Sequence, residues 1–273
     1  MRKIGAIKIT KVVTELVKQA SFFLRRDVLS ALRKSYAAEK NIRAKKILKA
    51  VLDNAAYARK QKLAICQDTG LSIVFIEIGQ DVSVRGDLRL AVNKGVEEGY
   101  KKYCLRNSIV GDPLNRGKSK FSPCVIHTDI VKGSKIKLTL LPKGFGCENK
   151  SQLKMFEPTA DIKEIKEFIV KAVKDAGPDA CPPYVIGVGI GGTADYACLM
   201  AKKALLRKIS TRNSKLEKGL LKLINQTGIG PMGLGGANTA LAVHLHAHPT
   251  HIAGLPVSVN ISCHALRSAT KIL

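Results

Sequence analysis

From about residue 10 to residue 60, apolar positions recur every three to four residues, and that spacing predicts a helical N-terminal region. Between Thr10 and Leu24 the stripe is Val12, Val13, Leu16, Val17, Ala20 and Phe23. A second segment begins at Asp27 and places Val28, Leu29 and Leu32 on one face. Asn41 is positioned to cap a third, whose stripe is Ala44, Ile47, Leu48, Val51 and Leu52. The opposite faces carry lysine and arginine, as solvated faces do.

Beyond residue 60 the period changes. The run Leu71 to Ile78 reads as a buried strand, and Gly86-Asp87 introduces a helix from Leu88 to about Tyr103. Residues 105–116 are polar and read as a long loop. Cys124–Val131 and Lys135–Leu141 alternate with period two on either side of Lys132-Gly133-Ser134, a hairpin signal. A helix from Asp161 to Ala176 follows. Tyr184–Thr193 reads as strand, glycine turn and helix start, with the helix running to about Lys208. The last third predicts a helix over 215–225, a strand over Ala240–His248 and another over Val257–His264. No internal repeat or low-complexity linker interrupts this order. The expected fold class is α+β: a helical N-terminal region over 1–60, then a mixed α/β body over 61–273, together one continuous domain.

Composition narrows the class. The chain has 273 residues, 45% of them hydrophobic and 25% charged, enough for a sizeable soluble core. No apolar run approaches the roughly 20 residues of a membrane span. Met1-Arg2-Lys3-Ile4-Gly5 has no apolar stretch behind it, so no signal peptide and a cytoplasmic location are expected. The formal net charge is +25. Three readings fit it: a nucleic-acid surface, a funnel for an anionic substrate, or a basic bias matched by an acidic partner. The lysines and arginines are spread through helices, and aromatic residues make up 5% with no tryptophan, so stacking platforms for bases are scarce. The second and third readings are therefore preferred, and neither nucleic acid nor membrane is expected as a partner.

The seven cysteines are an odd number and widely spaced, which does not fit a disulfide framework. Cys104, Cys124 and Cys198 fall inside periodic segments and read as buried thiols. Cys66, Cys181 and Cys263 each sit in a loop beside a strand. Three thiolates are one short of the four that usually hold a cubane cluster. A metal left with an open position acts as a Lewis acid.

The densest polar stretch is Cys66-Gln67-Asp68-Thr69-Gly70, just before the predicted buried strand. An ordinary turn and a catalytic loop both satisfy that pattern. Arg106 offers a planar donor pair for a carboxylate, though a surface arginine would look the same. Pro142–Ser151 is a glycine-spaced loop that brings backbone N–H groups near an anion, without the closing residues of a Walker loop. Gly187, Gly189 and Gly192 fit G-x-G-x-x-G, but no acidic residue completes a dinucleotide site. His244, His246 and His248 alternate to one strand face. A zinc cluster is the sharper reading, and a polar face near a ligand is preferred because no carboxylate adjoins them.

Six motifs together carry a family likeness. They are Cys66-Gln67-Asp68-Thr69-Gly70, Ser108–Pro113, Lys143–Lys150, Cys181-Pro182-Pro183, Ile190-Gly191-Gly192-Thr193 and the Gly228–Asn238 run. In this order, over nearly the whole chain, they resemble the class I iron–sulfur fumarate hydratases and L(+)-tartrate dehydratases, in their alpha subunit. The resemblance implies a [4Fe–4S] cluster held by Cys66, Cys181 and Cys263 on a glycine-rich face. It implies that Gln67, Asp68, Arg106, the Gly146 loop and His251 line a site for a small dicarboxylate. In these roles Arg106 clamps a carboxylate, Gln67 and His251 orient the substrate, and Asp68 assists proton transfer. It further implies a beta subunit carrying the rest of the site, in a higher-order heteromer. The reaction expected is reversible dehydration of a hydroxy-dicarboxylic acid, malate to fumarate, with L-tartrate as the alternative. Cys147 departs from the pattern, standing where a small non-ligand residue is expected. The rivals are a basic nucleic-acid-binding protein and a zinc-bound structural subunit.

Overall fold

A computed structural model describes residues 1–209, 211 and 213–273. The N-terminal part holds β1 (Arg2–Gly5), α1 (Ala6–Phe22), α2 (Arg26–Ala38) and α3 (Ile42–Gln61). Next come β2 (Leu71–Gly79), β3 (Val82–Arg85), α4 (Leu88–Lys102), β4 (Ile109–Asp112) and β5 (Arg116–Lys120). The middle holds β6 (Val125–Val131), β7 (Ile136–Lys143), α5 (Phe145–Glu148), β8 (Gln152–Phe156) and α6 (Ile162–Ala176). The remainder is β9 (Tyr184–Gly191), α7 (Ala194–Ala204), α8 (Lys215–Asn225), β10 (Ala240–His248), β11 (Leu255–Ser262) and β12 (Ala269–Ile272). The fold class is thus mixed α and β with a helical N-terminal region. Among the described residues no helix is long and apolar enough to cross a membrane.

The chain divides into two compact units, each built from separate stretches of sequence. The first comprises Met1–Arg25, Ala55–Phe145 and Arg267–Leu273. Its main sheet has the order β12-β7-β2-β6. β2 runs antiparallel to β7, with Leu71 opposite Lys143, and parallel to β6, with Ile73 opposite Val125. β6 and β7 therefore flank β2 and do not form the expected hairpin. Residues 132–135 arch over the end of β2, where Gly79 N–H donates to the Lys135 carbonyl at 2.8 Å and Asp81 N–H to that of Gly133 at 3.0 Å. Period-two alternation fixes which face of a strand is buried, not which strand lies beside it. Helices α1 and α4 cover the sheet through a core of Ile9, Val13, Leu16, Val92, Val96, Leu138 and Leu140. Between the two helices, the Thr10 and Thr14 hydroxyls donate to the carbonyls of Ala91 and Gly95 at 3.0 and 3.1 Å.

The polar stretch 105–116, read as a loop, contributes the β4–β5 ribbon, with Asp112 opposite Arg116. Its turn is built by Asp112, whose Oδ1 accepts from the N–H groups of Leu114 and Asn115. Most of the ribbon faces solvent, so no apolar alternation marks it in the sequence.

The second unit comprises Arg26–Asn54 and Gly146–Leu266. Its sheet has the order β10-β9-β11-β8, with β10 parallel to β9 and β11 antiparallel to both β9 and β8. Its core joins Ile169 and Val173 of α6, Leu220 and Ile224 of α8, and Ile186, Val188, Val243 and Val259 of the sheet. The glycine pattern of β9 is explained by helix packing. A Cβ at Gly187 or Gly189 would stand 2.0 or 2.1 Å from the carbonyl oxygens of Ala201 or Ala197, so only glycine lets α7 lie this close to the strand. α7 stops at Ala204, short of the expected Lys208, as the chain tightens into turns in which Leu205, Leu206 and Arg207 donate three residues back.

Local capping follows the sequence. Asn41 Oδ1 accepts from Arg43 and Ala44 N–H, and Asp161 and Ser214 form capping boxes with Glu164 and Glu217. Glu39, buried at the bend between α2 and α3, accepts from Lys40, Asn41 and Ala237 N–H and from Asn238 Nδ2. This one carboxylate ties the bend to the glycine-dense run before β10. Burial opposes its charge, yet these donors together hold it below the ordinary carboxylate range.

Candidate functional site

In the first unit, the loop Cys66–Gly70 enters β2 with its side chains in graded exposure. Gln67 is exposed, Cys66 and Asp68 are half-buried, and Thr69 is buried. The Cys66 thiol lies 3.5 Å from Gln67 Oε1. Asp68 is held from two sides: Oδ1 accepts from Gly70 N–H at 2.9 Å and Oδ2 from Phe145 N–H at 2.8 Å. The start of the glycine-spaced loop is thereby brought to the acid. Gly70, at φ +77°, passes so close to the Lys143 backbone that a Cβ would sit 2.8 Å from its carbonyl carbon. Arg106 joins the same group through its main chain, its N–H donating to the Thr69 hydroxyl at 3.1 Å, while its side chain is exposed.

The loop rests on buried donors that the sequence did not flag. The Tyr100 phenol, on α4, donates toward the carbonyls of both Thr69 and Gly70 at 3.0 and 2.9 Å and accepts from Ser72 Oγ at 3.1 Å. Burial pushes its ionisation up, against the Ser72 hydrogen bond. Arg267 Nη2 donates to the Asp68 carbonyl at 2.5 Å. A tyrosine at a buried helix position reads as ordinary core, and an arginine near the chain end reads as surface, so neither carried a signal.

In the second unit, Cys181 and Cys263 lie on loops that touch. The Cys181 carbonyl accepts from the N–H of His264 at 3.4 Å, and His264 Nδ1 lies 3.1 Å from the same oxygen. Both thiols are half-exposed. Cys147, one residue past Gly146, is buried and points its thiol at the Ala180 carbonyl, 3.4 Å away. The fully buried Tyr184 phenol donates to the Gly177 carbonyl at 2.5 Å. Its ionisation is pushed up first by burial, with smaller contributions from Cys147, Cys181 and Cys263. Cys181 and Cys263 thus sit half-exposed on touching loops, and all seven cysteines are free thiols. Half-exposed soft sulfur donors of this kind fit an iron–sulfur group better than a hard cation.

Other expectations change. Cys104 and Cys198 are exposed, not buried, because one lies in the turn after α4 at φ +52° and the other sits on the outward side of α7. Cys124 is half-buried, and burial pushes its thiol up to about 11. The β10 histidines differ in depth: His244 is fully buried with Nδ1 3.1 Å from the Ala204 carbonyl, His246 is half-buried and His248 is exposed. Burial, with Arg207 nearby, lowers the pKa of His246. Among the described residues no three His, Cys, Asp or Glu side chains are assembled to hold a single metal ion. His251 is exposed on the turn between β10 and β11, its Nδ1 accepting from Ala253 N–H at 3.2 Å. That hydrogen bond leaves Nε2 to carry the proton of the neutral ring.

The fumarate hydratase (Fumerase) family profile matches residues 10–271. The chain belongs to this family. A Methanocaldococcus jannaschii protein provisionally named L(+)-tartrate dehydratase subunit alpha is 41% identical over 278 residues, covering 97% of both chains. The L(+)-tartrate dehydratase subunit alpha of Escherichia coli K12 is 29% identical over 275 residues, covering 97% of this chain and 91% of its own. As a chain of the class I fumarate hydratase and L(+)-tartrate dehydratase alpha family, it is a hydro-lyase. Within this fumarate hydratase family chain, residues from three of the motifs that carried the resemblance meet in two groups. One is the Cys66–Gly70 loop with Phe145 and the Arg106 backbone. The other is the Cys181 loop with the Cys263–His264 turn, and Cys147 against Ala180.

Proposed function

We propose that this chain is the alpha subunit of a [4Fe–4S] hydro-lyase that reversibly dehydrates a hydroxy-dicarboxylic acid, malate to fumarate, and that a separate beta subunit completes its active site. The observation that supports the reading is the meeting of the Cys181 loop with the Cys263–His264 turn, two loops that each carry a half-exposed thiol, in a chain of this family. Cys66, Cys181 and Cys263 are the residues we assign to hold the cluster. When bound, it supplies a Lewis-acidic iron to the substrate's hydroxyl and carboxylate.

The chain's own groups do the remaining work. Arg106 binds a substrate carboxylate with its guanidinium, whose backbone is anchored at Thr69. Gln67 and His251 orient the substrate by hydrogen bonds, His251 through Nε2–H. The loop at Gly146 adds backbone donors for the second carboxylate. Asp68, its carboxylate aimed by Gly70 and Phe145, assists transfer of the proton from the carbon next to the hydroxyl-bearing one. The hydroxyl departs with a proton as water. A net charge of +25 draws a dianionic substrate in and suits an acidic partner. A cytoplasmic setting and a higher-order heteromer complete the proposal.

Tartrate is the second reading, favoured by the names of the relatives. The two differ by one hydroxyl on the substrate. The test is anaerobic co-purification with the beta subunit, iron and sulfide analysis, then turnover of L-malate, fumarate and L(+)-tartrate. Brown protein active on malate and fumarate supports the first reading, and activity confined to L(+)-tartrate supports the second. Colourless, iron-free and inactive protein would end both.

A further inference from the structure

Three consecutive carbonyls of the Cys66–Gly70 loop are held by buried donors of the first unit. Arg267 takes that of Asp68, and Tyr100 takes those of Thr69 and Gly70. Arg267 is only 4% exposed, and its Nε and Nη1 have no hydrogen-bond partner. A buried guanidinium with two unsatisfied nitrogens is costly, and natural cores rarely keep one without use. A packing role alone would be served by an aliphatic side chain at no such cost. Its one hydrogen bond goes to the residue whose carboxylate is separately aimed by Phe145 and Gly70. Tyr100 senses the charges of both Arg267 and Asp68, which places the three groups in one electrostatic neighbourhood.

We propose that Arg267 is a positioning residue for this loop. With Tyr100 it fixes the backbone from below, so that Cys66, Gln67 and Asp68 are presented in a single arrangement before anything binds. The short β12 strand, paired to β7 from Ala269 onward, holds Arg267 in place from the C-terminal side. This role stands on the apo chain alone. Only its consequence for turnover rests on the proposed hydro-lyase function.

The decisive measurement is amide hydrogen exchange on the full-length apo chain. In Arg267→Gln the amides of Gly70 and Phe145, which are bonded to Asp68, are expected to exchange at least about tenfold faster. Amides of α1 and α4 should change by less than about twofold. Arg267→Lys, which keeps a donor for the Asp68 carbonyl, is expected to recover most of that protection. Tyr100→Phe removes the phenol donor with little change of shape, so it should loosen the same amides. Its effect combined with Arg267→Gln should fall short of the product of the two. Unchanged exchange in Arg267→Gln overturns the proposal. If that variant is unfolded, Arg267→Lys and Tyr100→Phe decide: loop protection like wild type in Tyr100→Phe, or loss spread evenly over the unit in Arg267→Lys, also overturns it. In the loaded enzyme, Arg267→Gln should lower kcat about tenfold with KM within about twofold, as misaimed Asp68 slows proton transfer more than binding, and Arg267→Lys should recover most of that loss. A wild-type enzyme inactive on every diacid would defeat the hydro-lyase reading while leaving the exchange result to judge Arg267.

Discussion

The Phe145 N–H donates to Asp68 Oδ2 at 2.8 Å across 77 residues of sequence, joining the glycine-spaced loop to the acid of the Cys66 loop. Asp68→Asn cannot serve both of its backbone donors, because one face of the amide is itself a donor. The unmatched N–H should cost about 1–3 kcal/mol in urea unfolding. The loss of the carboxylate should lower kcat by about a hundredfold or more, measured on the co-purified enzyme. Wild-type turnover in Asp68→Asn would remove Asp68 from proton transfer.

The Cys147 group separates packing from ligation. Cys147 is buried in the core, while Cys181 and Cys263 reach solvent. Cys147→Ala should therefore keep the full iron content and lose about 1–2 kcal/mol of stability through the small cavity left behind. Cys66→Ser, Cys181→Ser and Cys263→Ser should each lose iron and activity. Iron-to-protein ratios after anaerobic purification check this directly. Iron lost from Cys147→Ala but kept in Cys66→Ser would redraw the ligand set.

Backbone closeness at β9 predicts a large effect from one methyl group. In Gly189→Ala the new Cβ would stand 2.1 Å from the Ala197 carbonyl, so α7 must move. A loss of about 3 kcal/mol or more is expected, lowering Tm by about 6–12 °C. Gly219→Ala on α8 meets nothing within 4 Å and should be neutral or stabilising by up to about 1 kcal/mol. Differential scanning calorimetry of the pair tests whether the glycine pattern serves helix packing.

Cys124 gives the protein an alkaline weakness. Burial raises its thiol from 9.0 to about 11. Below pH 9 the thiol is protonated in both states and adds no pH dependence. Between pH 9 and 11 the unfolded chain ionises first, so ionisation favours unfolding and stability falls, levelling off above 11. The full effect is of order 2–3 kcal/mol. Cys124→Ala should flatten that part of the profile relative to wild type, read from urea midpoints at pH 7, 9 and 10.5. Parallel profiles would show that the thiol does not titrate in this way.

Much of the local structure was legible in the sequence because it depends on neighbours within a few positions. The stripes of α1, α2 and α3, the Asn41 cap and the β2 core run needed only periodicity and short-range hydrogen bonds. The candidate site residues were legible by motif, through the likeness of Cys66–Gly70, Lys143–Lys150 and Cys181–Pro183 to one family. The β4–β5 ribbon was not, because an exposed ribbon leaves no apolar trace. Nor were Tyr100 and Arg267, since a donor that matters for the carbonyl it reaches looks, in sequence, like any other tyrosine or arginine.

The sequence by itself determined the main helices, the buried strands and the family, because periodicity, caps and ordered motifs are properties of the chain read along its length. Tertiary structure alone decided that β2 enters between β6 and β7, that G-x-G on β9 makes room for α7, and that the Cys181 loop meets the Cys263–His264 turn. It also decided that a guanidinium 199 residues away holds Asp68. Each of these is a long-range contact. Neighbours in space are selected by the global balance of burial and hydrogen bonding, which no local window contains.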